Sequence, residues 1–170
     1  MAYETKPLGP DSWLLDSAAS VHISDNKSLF SSYESLKNHK IIGIGSRSAE
    51  GQGTVQLVFE VRGRTTNVTL ERVLYLPSSP YNIISLGKLH RAGHRVDFPL
   101  GGPKVAVYSE QGVKIMQGRN IDNIYALENV TPKISPPTND HVLTVIGWLP
   151  DMLCTSSVRA YFCAFYRVYS

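Results

Sequence analysis

The strongest constraint in this chain is an apolar run that drives into a lone acid and then stops: Trp13-Leu14-Leu15-Asp16-Ser17-Ala18-Ala19-Ser20. Three large apolar residues in succession predict a buried strand, and Ser-Ala-Ala-Ser cannot continue bulky packing. The chain is therefore expected to turn where the carboxylate sits. A fold built this way presents an acid at the floor of a cleft. A strand ending in an ordinary turn aspartate has the same pattern, because aspartate favours turns. The octapeptide alone leaves both readings open.

The remaining chain reads as short strands with little helix. Residues 1 to 12 hold two prolines and a glycine and form a lead-in. Val21-His22-Ile23 alternates beyond the turn, and Asp25 to Phe30 offers an N-cap followed by apolar residues. Residues 38 to 45 and 53 to 61 are expected to be the two arms of a hairpin whose tip carries Gly43 and Gly45. Arg62-Gly63-Arg64 signals a second turn, with 65 to 70 pairing back. Val73 to Leu76 and Asn82 to Ile84 are further apolar strands. Ser85 is placed to cap a helix through Ala92, and Gly93 to stop it. Strands follow at 94 to 98, 104 to 108, 113 to 117 and 123 to 127. Short strands at roughly ten-residue intervals with one helix argue a mostly β, barrel-like domain.

That domain is expected to be complete near Glu128, with a core over 13 to 98 and extra C-terminal strands over 104 to 127. Residues 129 to 140, with Pro132, Pro136 and Pro137, read as a linker. Residues 141 to 170 form a hydrophobic tail containing Trp148, Tyr161, Phe162, Phe165, Tyr166 and Tyr169, to which no role is assigned.

Composition narrows the function classes. A chain of 170 residues with 42% hydrophobic and 18% charged residues can bury a real core. Its net charge of +3 without any Lys/Arg run gives no reason to expect nucleic acid as a direct partner. Two cysteines, Cys154 and Cys163, make no disulfide framework and fit a reducing compartment. Apolar runs are too short for a spanning helix, and no signal-peptide core is expected. His22, His39, His90, His94 and His141 are scattered without partners at ligand spacing, so no metal site is expected. Gly43-x-Gly45 and Gly51-x-Gly53 do not complete a phosphate-binding glycine motif. Ser17 and His22 lack a nucleophile elbow. Ser17 is expected instead to hydrogen-bond locally and hold the turn.

A second stretch, Val73-Leu74-Tyr75-Leu76-Pro77 through Asn82-Ile83-Ile84-Ser85 to Leu89 and Gly93, completes an ordered set with Asp16-Ser17-Ala18-Ala19 and the glycine-rich Lys40 to Ser46. Taken together over residues 13 to 128, the chain resembles the aspartic protease of copia-type retrotransposon Gag-Pol polyproteins, a relative of the retroviral proteases. The resemblance implies a retropepsin-like half-barrel that works as a homodimer. It implies Asp16 as the catalytic acid, on an active-site turn of Ser17, Ala18 and Ala19. The flap would be Gly43, Ile44, Gly45 and Ser46, binding an extended peptide. Ser20, His22, Ile83 and Ile84 would wall the cleft. No cofactor is implied, and the partners are a second copy and a polyprotein peptide, with no membrane. The expected location is the cytoplasm, in the virus-like particle of the element.

The chemistry explains the need for two copies. Peptide hydrolysis by carboxylates uses one to activate water and one to donate a proton, and this chain has one such motif. A twofold axis brings a residue against its own copy. Two departures from the pattern stand out. Most relatives have glycine where Ala18 stands, and its methyl adds bulk beside the expected axis. Retroviral proteases place Gly-Arg after the Ile-Ile pair, with the arginine pairing an acid beyond the turn, whereas this chain has Ser85-Leu86 and Ser20. The alternative reading is a catalytically inactive, protease-like remnant acting as a dimeric binding or assembly module.

Overall fold

The computed structural model describes residues 8–43, 45–77, 79–100 and 104–133. The tail expected over 141 to 170, and the linker from residue 134 onward, lie outside the described residues. Strand β1 (Trp13–Asp16) sits in the middle of the molecule. It runs parallel to β6 (Asn82–Ser85), with Leu14 opposite Ile83 and Asp16 opposite Ser85. Its other edge is antiparallel to β10 (Ile124–Leu127), with Leu14 opposite Ala126. A central strand covered on both faces has no solvent side, which is why Trp-Leu-Leu is continuously apolar rather than alternating.

Strand β2 (Ile23–Ser24) is only two residues long, so Val21 and His22 of the expected strand lie outside it. A single 3-10 turn follows at Lys27–Leu29, its first residues held by Asn26 Oδ1, which accepts from Ser28 N at 3.0 Å. Three long strands then form a meander: β3 (Phe30–Gly43), β4 (Gly45–Val61) and β5 (Arg64–Tyr75). The hairpin arms expected at 38 to 45 and 53 to 61 are thus parts of longer strands. The segments expected at 65 to 70 and 73 to 76 are one strand. Register breaks between Phe30 and Ser32, Ser35 and His39, and Gly53 and Val55 absorb the irregularities. Arg72 adopts φ 51°, a kink that keeps β5 paired across the break.

Helix α1 (Leu86–Arg91) has Ser85 as its N-cap and stops at Gly93, where φ is 83° and a side chain would be strained. Strands β7 (Arg95–Asp97), β8 (Lys104–Tyr108) and β9 (Lys114–Ile121) follow, then β10 and β11 (Val130–Pro132). The sheet order is β11-β4-β5-β2-β6-β1-β10-β9-β8-β7, with β3 also on β4. The fold is mostly β with one short helix.

Two findings refine the expected layout. Strands 104 to 127 are integral rather than additional, since β10 neighbours β1 and Val105, Val107, Met116 and Leu127 join the main core. Residues 130 to 132, within the expected linker, pair with β4 just where β3 leaves its edge. That pairing covers an edge that would otherwise be open.

The main core centres on Phe59, Leu57, Val55, Val73 and Ile84, all fully buried, with Trp13 and Leu15 against them. Phe59→Ala is expected to cost about 3–5 kcal/mol of stability, the usual range for emptying a phenylalanine site. Chemical denaturation of the two proteins side by side measures it. A loss under 1 kcal/mol would mean that the site collapses around the smaller residue.

Candidate active site

Asp16 ends β1 half-buried, and Ser17, which follows, is exposed. The chain turns back at once, and Ala18 N donates to Asp16 Oδ1 at 2.7 Å. Burial pushes the Asp16 carboxyl above the ordinary aspartate range, opposed by the hydrogen bonds from the Ala18 and Ala19 amides. A carboxyl biased this way holds a proton more readily than a surface acid does. It is also the group that can take one from water or give one to a leaving atom.

The turn is held from below by a hydroxyl 66 residues away. Ser85 Oγ donates to Ala19 O at 2.6 Å and accepts from Lys88 N at 3.2 Å. Ser85 N donates to His22 Nδ1 at 3.0 Å. One residue therefore ties together the turn, the start of α1 and the buried imidazole. The hydroxyl that anchors the turn is Ser85, not the exposed Ser17.

A second polar group braces the entry to β1. Asn82 Oδ1 accepts from Ser24 Oγ at 2.7 Å, Asn82 Nδ2 donates to Pro10 O at 3.0 Å, and Asn82 N donates to Ser12 O at 3.0 Å. Asn82, Ser24 and Ser85 are all buried, and buried polar groups persist when paired. From its sequence Ser85 is expected only to cap α1, and Asn82 and Ser24 carry no expected role. The available signal was their position at the ends of apolar strands.

Of the four positions expected to wall a cleft, Ser20 is half-buried, while His22, Ile83 and Ile84 are buried. Ile84 belongs to the main core, and Ile83 to a second cluster that includes Ala19 of the turn. In that second cluster Ala19 and Ile23 join Ile41, Ala49, Leu74 and Leu76, with Val21 and Leu36 against them. The β3–β4 hairpin is therefore rooted on the residues that follow Asp16. Its pairing continues outward through Ile42 opposite Ser46 to Gly43 opposite Gly45. Of the expected flap positions, Gly43, Gly45 and Ser46 are placed by this backbone pairing, and Ile44 lies outside the described residues.

Residues 13–94 match the family model of the Pol polyprotein β-barrel domain. The match covers a little under half of the chain and supports a Pol-derived origin. It starts on the strand carrying Asp16 and closes just after α1, so Asp16, His22, Ser85 and the hairpin all fall inside it. Strand β10, which covers the other edge of β1, falls outside it. No curated protein and no solved structure matches the chain.

Two surface grooves are lined by residues outside the Asp16 turn. One, of about 330 Å³, runs along Ser32, Tyr33, Gln52 and Arg72. The other, of about 530 Å³, lies between the tips of the β4–β5 and β8–β9 hairpins. Among the described residues, no three His, Cys, Asp or Glu side chains group closely enough to hold a metal ion. No helix there is long and apolar enough to cross a membrane.

Proposed function

We propose that this Pol-type domain is the aspartic endopeptidase of a copia-type retrotransposon, cleaving Gag-Pol polyprotein as a homodimer. The observation that carries this reading is Asp16 itself, a half-buried carboxyl at the end of the central strand, biased toward its protonated form and steered by the Ala18 amide. Each chain supplies one such acid, so a twofold axis beside the turn places two in contact. Two carboxyls in contact share one proton, because both cannot ionise cheaply. The ionised member takes a proton from water as its oxygen bonds to the scissile carbonyl carbon, and the protonated member gives its proton to the carbonyl oxygen. Collapse of the tetrahedral adduct breaks the C–N bond: one carboxyl gives its proton to the departing amine, and the other carboxylate takes the proton of an adduct hydroxyl, which restores the shared-proton pair.

The hairpin tip at Gly43, Ile44, Gly45 and Ser46 closes over an extended peptide, its amides pairing with the peptide as an added strand. Ser20, His22, Ile83 and Ile84 serve the site from the floor and sides of the cleft. The partners are a second copy and a polyprotein peptide, with no metal or cofactor. The reaction belongs in the cytoplasmic particle of the element.

A second reading rests on Ala18, half-buried in the turn where most relatives carry glycine. If its methyl holds the two turns apart, the dimer is a binding or assembly module without catalysis. One dilution series separates the readings. A half-site enzyme loses specific activity below its dimer dissociation constant, by up to about tenfold per tenfold dilution. Cleavage of a junction peptide is expected to follow that law and to be blocked by a pepstatin-type inhibitor. Activity that stays proportional to concentration in a sedimentation-verified monomer would refute the half-site arrangement. Absence of cleavage restored by Ala18→Gly would establish the second reading.

A further inference from the structure

We propose that His22 and Ser85 form a proton-sensitive brace that holds the Asp16 turn only while His22 is neutral. The catalytic consequence rests on the proteolytic reading above, but the brace itself does not. His22 is 5% exposed, and its Nδ1 accepts from Ser85 N at 3.0 Å. A ring nitrogen that accepts carries no hydrogen, so the neutral ring keeps its proton on Nε2. Protonation at Nδ1 turns the acceptor into a second donor facing the Ser85 N–H. That bond is then lost.

The loss does not stay local. The same Ser85 directs its hydroxyl to Ala19 O at 2.6 Å and caps α1 through Lys88 N. The peptide of His22 is also fixed, its carbonyl accepting from Leu74 N at 2.9 Å. Ring, serine and turn therefore move as one unit. A proton arriving on His22 loosens the support under the Asp16 turn without touching Asp16.

Burial sets the direction, and the charged surroundings reinforce it. From α1, Lys88 faces His22 with a like charge, and Lys88 sits among Arg72 and Glu71 of β5 and Arg91 of its own helix. Strand β6 contributes the uncharged Ser85. Strand β1 contributes Asp16, whose Oδ1 is occupied by the Ala18 amide. Burial, reinforced by Lys88, lowers the His22 pKa from 6.5 to about 3. A base depressed in the folded state adds stability that is complete above the unfolded value, near pH 6.5. That stability is lost as pH falls toward the folded value, near 3. A carboxyl pair sharing a proton favours the opposite direction, so the site works in a window bounded on the acid side by His22.

The test is acid unfolding, followed by Trp fluorescence and circular dichroism, of the full chain and of His22→Asn. The asparagine Oδ1 can take the place of Nδ1 as acceptor but does not titrate. The variant is expected to fold at pH 7 and to unfold at a pH lower by on the order of one unit. Coincident acid-unfolding curves would overturn the brace. Should the variant not fold, the nitrogen chemical shifts of His22 in the unmodified chain decide. An Nε2-protonated ring that does not titrate above about pH 4 is expected, and titration near 6.5 would overturn the proposal. A brace found in a protein that never cleaves peptide sinks the proteolytic reading alone. Cleavage by a protein whose His22 titrates normally sinks the brace alone.

Discussion

If the proposed dimeric protease is right, Asp16→Asn is expected to reduce peptide cleavage at least about 10⁴-fold, because the substitution would remove the proton-accepting and proton-donating groups from both subunits at once. Each positioned acid or base is worth about 10²–10⁴ in rate, and a carboxamide can serve in neither role. The fold gives no reason for collateral damage. Asparagine Oδ1 can accept from Ala18 N as Asp16 Oδ1 does at 2.7 Å, and the side chain keeps its size.

Stability moves the other way with pH. Burial raises the Asp16 pKa, so the contribution of this acid to folding is greatest at low pH and is lost as pH rises through its folded value. At pH 7 the ionised carboxylate is therefore a liability. Asp16→Asn is expected to match or exceed the parent melting temperature there, with any advantage shrinking as pH falls. Rates with a junction peptide and melting curves at pH 4 and pH 7 check both halves. Cleavage by the variant at the parent rate would end the role assigned to Asp16. A folded, dimeric variant without activity is what the dyad requires.

Removing everything after Pro99 is expected to abolish cooperative folding, although the chain that remains contains the entire Pol-type match over 13–94. The deletion takes away β10, the antiparallel neighbour of β1, leaving one edge of the central strand with unpaired amides and carbonyls. Unpaired buried backbone groups are costly. It also removes Val105, Val107, Ile115, Met116 and Leu127 from the main core. At about 1.5–3 kcal/mol for each buried side chain, their loss is comparable to the ~5–15 kcal/mol that holds a typical domain together. Thermal unfolding by circular dichroism compares residues 1–99 with the full chain. A sharp two-state transition in the shorter form would show that β8–β11 are dispensable and that the matched segment folds alone.

Local chemistry determined what could be read directly from the residues. Trp13-Leu14-Leu15 had to be buried, and it is. Arg62-Gly63 had to turn, and both adopt positive φ. Ser85 and Gly93 bracket a helix because a hydroxyl can satisfy a first-turn amide and a glycine can take the left-handed exit; Ser85 Oγ does accept from Lys88 N. These features depend on neighbours a few positions away, so periodicity and cap residues expose them.

Tertiary structure alone decided the rest. The first half of β3, with Ser31, Ser32, Glu34 and Ser35, has no apolar alternation, and it is a strand because β4 pairs with it. Arg72 takes a positive φ that no arginine signals, because the β4–β5 ladder breaks beside it. Strand β10 reaches β1 across more than a hundred residues, and β11 pairs with β4 because an edge was left open beside β3. The support beneath Asp16 joins His22 to Ser85 and Ser85 to Ala19 across 63 and 66 positions. A hydrogen bond between residues so far apart leaves no period and no spacing in the chain. It exists because β1, β2 and β6 lie side by side, and only the packed sheet brings them there.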